Sequence, residues 1–127
     1  MTRKVIQTEA APAAIGPYSQ AIQVGNALYL SGQLGLDPTT GKLVDNSAAA
    51  QAVQALKNID AILDAAGFAL SDVLQVQVLL TDINDFKAIN TAYEQFFEPP
   101  YPARAAYAVA ALPAGAVVEI IVSAMKS

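Results

Sequence analysis

The chain is 127 residues long, a length that fits one domain over residues 1–127. It contains no Cys and no His, which excludes disulfides, thiolate nucleophiles, zinc–thiolate sites and histidine bases. The net charge is −4 and the seven basic residues are scattered from Arg3 to Lys126, without the basic stripe that phosphate contacts demand, which argues against a nucleic-acid partner.

The first ten residues, MTRKVIQTEA, lack the apolar stretch of a signal peptide, and no run of about 20 apolar residues suggests a membrane span. A soluble, cytoplasmic protein with no membrane partner is the expectation. GPYSQA (16–21) reads as a Gly-Pro turn that presents Tyr18, either for packing or for a ligand. AIQVGNALYLSGQL (21–34) reads as two short strands around the turn pair Gly25-Asn26. Within it Ser31 and Gly32 interrupt an apolar run, and a strand Gly marks a bend or a close backbone approach to a ligand. With no His to activate it, Ser31 cannot belong to a Ser-His hydrolase.

LDPTTGKL (36–43) is a second turn region. Asp45, Asn46 and Ser47 are candidate N-caps for a helix whose apolar face is Ala52, Leu56, Ile59, Leu63 and Ala66, with Gly67 as its stop. DVLQVQVLLTD (72–82) alternates, with Leu74, Val76, Val78 and Leu80 on one side and Gln75 and Gln77 on the other, the period of a strand. A second helix follows, capped by Asp82 or Asn84, with Phe86, Ile89, Tyr93 and Phe96 as its stripe and Glu98-Pro99-Pro100 as its end. Asn90 shares its inner side, as a core amide or as a site residue. Asp82 and Asp85 are better explained by capping than as metal ligands, so no metal site is expected. Two strands, 103–112 and 116–125, joined by Pro113-Ala114-Gly115, close the chain. The order suits an α+β fold, a mixed sheet with two helices packed on one face.

Two charges stand in apolar strands. Arg104 lies in YPARAAY and Glu119 in AVVEIIVSA. An unpaired buried charge is costly, so such groups are paired or bound to something. If the last two strands form a hairpin, Arg104 and Glu119 come within a few pairs of each other and could make a cross-strand ion pair. The functional alternative is a pocket in which Arg104 grips a ligand carboxylate bidentately and Glu119 acts as general base on water. A charged fraction of 14%, against about 25% in an average chain, also points to apolar surface buried between copies.

Five stretches in order resemble the RidA family (YjgF/YER057c/UK114) of reactive-intermediate deaminases. They are APAAIGPYSQA (11–21), LYLSGQLGLDPTTGKLV (28–44), NDFKAINTAYEQFF (84–97), YPARAAYAVAALPAG (101–115) and VEI (118–120). The resemblance implies a chorismate-mutase-like α+β fold and a homotrimer with clefts between subunits. It implies hydrolysis of 2-imino or enamine acids, such as 2-iminobutanoate and 2-iminopropanoate, to 2-keto acids and ammonia, with no cofactor. By motif, Arg104 would hold the substrate carboxylate and Glu119 the attacking water, while Tyr18, Ser31, Gly32 and Asn90 would line the cleft. The chain departs from the family pattern at two places. Ala105-Ala106 stand where many bacterial members have Ser-Cys, and Ile121 where the second Glu of an EIE strand is common. An endoribonuclease or translation-inhibitor activity, as attributed to some animal-type relatives, and a non-catalytic carboxylate binder or chaperone-like trimer are the rival readings.

Overall fold

Helix α1 (Ala48–Ala65) starts where Ser47 accepts a hydrogen bond from the Ala50 amide at 3.2 Å, a side-chain cap on an otherwise orphan donor. It stops where Gly67 takes a left-handed φ of 77° and the Phe68 amide reaches back to the Leu63 carbonyl at 2.8 Å. Of the expected face, Ala52, Leu56, Ile59 and Leu63 have no exposed surface, while Ala66 is the C-cap just past the helix and only partly buried. Gln51 and Asn58 are buried with them and have specific tasks. Gln51 donates to the Asp45 carbonyl and accepts from the Val117 amide, and Asn58 donates to the carbonyls of Leu34 and Leu36. The helix thereby binds the loops at both of its flanks.

The computed structural model describes residues 2–127, and among these seven strands form one mixed sheet. They are β1 (Lys4–Ile6), β2 (Ala21–Val24), β3 (Ala27–Leu30), β4 (Gln33–Leu34), β5 (Val73–Leu80), β6 (Ala103–Ala108) and β7 (Val118–Met125). The path runs β1-β2-β3-β7-β5-β6, with β4 pairing the N-terminal part of β7, at Glu119 and Ile120, and β3 its C-terminal part. The β2–β3 hairpin turns at Gly25, φ 59°, and Asn26, as the sequence indicates. The second helix, α2 (Phe86–Tyr93), follows a 3₁₀ turn capped by Asp82, whose carboxylate accepts from the Asn84 amide. It ends four residues before Phe97, so Phe96 lies beyond the helix rather than on it.

Three expectations are corrected. First, β6 and β7 do not form a hairpin. The segment β5-α2-β6 is a parallel pair with a helical crossover, and β7 runs antiparallel on the other side of β5. Second, Leu74 does not share a face with Val76, Val78 and Leu80. The register shifts between Val73 and Gln75, so Val73 is buried and Leu74 is half exposed. Third, β6 is an edge strand with most of its residues exposed, not a buried one.

The core lies between one sheet face and the helices. Val76, Val78 and Leu80 of β5, Val118, Ile120 and Val122 of β7, and Leu28 and Leu30 of β3 meet Leu56, Ile59, Leu63 and Ile89 there. The opposite sheet face carries Gln77, Leu79, Ile121 and the exposed Tyr29 and Tyr107, with no helix over it.

Candidate active site

The register decides where the two strand charges go. Arg104 is level with Val76, and Val76 with Val122, both buried under the helices. Arg104 therefore projects to the helix side. Its guanidinium lies over two rings of α2, with Cζ 4.8 Å from the Tyr93 centroid and 5.4 Å from that of Phe86. Glu119 is level with Leu79, and Leu79 with Tyr107, residues of the open face. The two charges stand on opposite faces with β5 between their strands, so the cross-strand ion pair is not formed.

The remaining candidates divide in the same way. Tyr18, Ser31 and Gly32 line, with Glu119, a cavity of about 780 Å³ walled by the loops at 12–20, 36–41 and 113–114. Asn90 lines a separate cavity of about 440 Å³ with Arg104, Tyr93, Tyr101 and Pro102. No residue lines both.

In the larger cavity Ser31 donates its hydroxyl proton to the Ser19 carbonyl at 2.6 Å, and its amide donates to the Gln20 carbonyl. Ser31 thus fixes the loop that carries Tyr18. Gln20, itself buried, holds the neighbouring segment by donating to the Thr8 and Pro12 carbonyls and accepting from the Thr8 amide. Gly32 lies against Glu119. A Cβ at position 32 would overlap the Glu119 carboxylate, standing 2.9 Å from its Cδ and 3.1 Å from Cγ1 of Ile121. Only a glycine leaves room for the carboxylate there. Burial pushes the Glu119 carboxyl above the ordinary glutamate pKa. It is a carboxylate with raised proton affinity at the wall of a water-accessible cavity, the description of a general base.

In the smaller cavity Arg104 offers a planar fork of N–H donors. Asn90 Oδ1 and Tyr93 Oη are both buried without a hydrogen-bond partner among the described residues. Burial raises the Tyr93 phenol pKa, against the lowering influence of Arg104, so Tyr93 stays neutral. The sequence shows Tyr93 and Phe86 only as part of an apolar stripe. The signal that marks them is the pairing of β6 with β5, which brings Arg104 onto that stripe. Among the described residues no group of three or more carboxylates gathers as a metal site, and no helix is long and apolar enough to cross a membrane.

Comparison with known proteins identifies the family. A relative from Bos taurus, named 2-iminobutanoate/2-iminopropanoate deaminase, is 56% identical over 120 residues, covering 94% of this chain and 88% of the relative. The crystal structure of RidA from the Antarctic bacterium Psychrobacter sp. PAMC 21119 superposes with a TM-score of 0.94 at 51% identity, covering 97% and 99% of the two chains. That of E. coli TdcF with bound serine superposes at 0.93 and 40% identity, covering 98% and 99%. The family model described as Endoribonuclease L-PSP matches residues 8–126. With that match over nearly its whole length and with the motifs quoted above, the chain belongs to the Endoribonuclease L-PSP family, the RidA family that its sequence resembles.

Proposed function

We propose that this protein hydrolyses small 2-imino acids to 2-keto acids and ammonia, at a site that two copies of the chain complete. The observation that carries the reading is the division of six candidate residues between two faces. Arg104 and Asn90 stand on one, Tyr18, Ser31, Gly32 and Glu119 on the other, and each strand charge lacks the other as a partner. A neighbouring copy that sets its Arg104 cavity against this chain's Glu119 cavity gives both charges a function and covers apolar surface. Ile15, at the rim of the Glu119 cavity, is 92% exposed in the single chain. The homotrimer implied by the family motifs supplies this cleft three times over. The name of the Bos taurus relative gives the substrate class, and the serine bound to E. coli TdcF is a small amino acid of the same carboxylate-bearing shape.

The chemistry follows from the groups present. Arg104 binds the substrate carboxylate bidentately, which fixes the adjacent C=N carbon. The iminium carbon is already electrophilic. Glu119 takes a proton from water as its oxygen bonds to that carbon, forming a carbinolamine. The proton returns from Glu119 to the nitrogen. As the C–N bond breaks and ammonia leaves, the carbinolamine hydroxyl gives its proton to the Glu119 carboxylate and becomes the keto oxygen, and the departing ammonia carries that proton off as ammonium. Water is the only co-reactant. No step needs a metal or an organic cofactor.

The test is a coupled assay. A threonine dehydratase generates 2-iminobutanoate, semicarbazide traps it, and hydrolysis appears as lost semicarbazone signal. Wild type should suppress the signal and Arg104→Ala should not. A folded wild type without effect would leave the protein a carboxylate binder. Cleavage of labelled RNA by the same preparation would favour the activity in the family's description, which the acidic charge and absent His disfavour.

A further inference from the structure

The smaller cavity shows a guanidinium with no hydrogen-bond partner among the described residues and two aromatic rings near it. Phe86 and Tyr93 are seven residues apart on α2, so along the helix axis they stand about 10 Å apart. The Arg104 Cζ lies 5.4 Å from one centroid and 4.8 Å from the other. The guanidinium therefore lies within cation–π distance of both rings at once. Tyr93 is 5% exposed and its hydroxyl oxygen has no surface contact with water. The part of Tyr93 that the structure sets against Arg104 is its ring.

We infer that Tyr93, with Phe86, is a positioning residue for the substrate, forming a π-platform that fixes the plane of the Arg104 guanidinium and turns its N–H edge toward the carboxylate. The inference rests on the reading of Arg104 as carboxylate anchor. An arginine at an exposed edge strand would otherwise sample many rotamers, and each bidentate contact would require ordering it. Two ring faces remove that freedom before the ligand arrives. The hydroxyl contributes nothing to the platform. Because it is buried unpartnered, its removal also costs the fold nothing.

The test is calorimetric titration of the full-length protein with 2-ketobutanoate, beside thermal melting. Tyr93→Leu should raise Kd about tenfold, ~1.4 kcal/mol, while Tyr93→Phe should stay within about twofold of wild type with Tm equal or higher. A Tyr93→Leu protein with lowered Tm and unchanged Kd would show a merely structural ring and overturn the inference. Equal loss in Tyr93→Phe and Tyr93→Leu would also overturn it, by moving the effect to the hydroxyl. Should Tyr93→Leu not fold, Phe86→Leu carries the same test from the other ring. Arg104→Ala separates the two levels. If it loses binding and the ring variants do not, the platform alone fails. If it binds as wild type does, the carboxylate-anchor reading fails and the platform with it.

Discussion

Gly32 and Glu119 show how much a single missing Cβ can decide. Gly32→Ala would drive the carboxylate from its seat while leaving the Arg104 cavity untouched. Loss of a positioned general base costs on the order of 10²–10⁴ in rate. Gly32→Ala should therefore lower kcat about a hundredfold with KM changed less than about threefold. A wild-type kcat in this variant would show that the carboxylate position is immaterial. The pH dependence has a definite sign. In the proposed mechanism Glu119 works as the carboxylate, and in the single chain burial raises its pKa above the ordinary 4.5. The base is then lost, as pH falls, at a higher pH than an exposed glutamate would give. The acid limb of kcat, read with the substrate carboxylate paired to the neighbour's Arg104, should lie above pH 4.5, and a rate still flat below pH 4.5 would contradict this. Both strand charges were legible in the sequence, because a charge amid valines and isoleucines conflicts with the pattern around it. Tyr93 was not legible. A tyrosine in a helical stripe reads as core until a cation is found over its face.

At the scale of elements, local signals carried far and strand order did not. The Ser47 cap, the Gly67 stop and the Gly25-Asn26 hairpin are written in adjacent residues. The strand order depends on the crossover. A strand, a helix and a strand in succession form a parallel pair, so β5-α2-β6 leaves β7 to the other side of β5. A hairpin of β6 and β7 would have brought Arg104 and Glu119 within a few pairs of each other; the crossover separates them instead. Leu74 was misplaced by the bulge, which period-2 counting cannot anticipate. Gln51 is the polar link whose role only the fold reveals. Gln51→Leu would strand the Val117 amide and the Asp45 carbonyl. Urea unfolding should report a loss of ~2–3 kcal/mol. An unchanged midpoint would mean that water replaces the amide.

At the scale of the molecule, the low charge fraction has a visible counterpart. One sheet face is covered by helices. The other carries Tyr29, Leu79, Tyr107 and Ile121 uncovered, and β6 leaves an open edge of alanines. Open edges and apolar faces are the surfaces that associate. Sedimentation should give about three times the 13.2 kDa of one chain, and a single-chain mass would contradict the shared site. The most direct measurement mixes two inactive proteins. Arg104→Ala and Glu119→Gln, each inactive alone, are unfolded together, refolded at equal amounts and assayed for imine hydrolysis. A site built from one chain's Arg104 and its neighbour's Glu119 is restored wherever the right pair meets, so about a quarter of wild-type activity should return under random assembly. No recovery from a mixed oligomer would show that each chain needs both residues itself, and the shared site would be refuted.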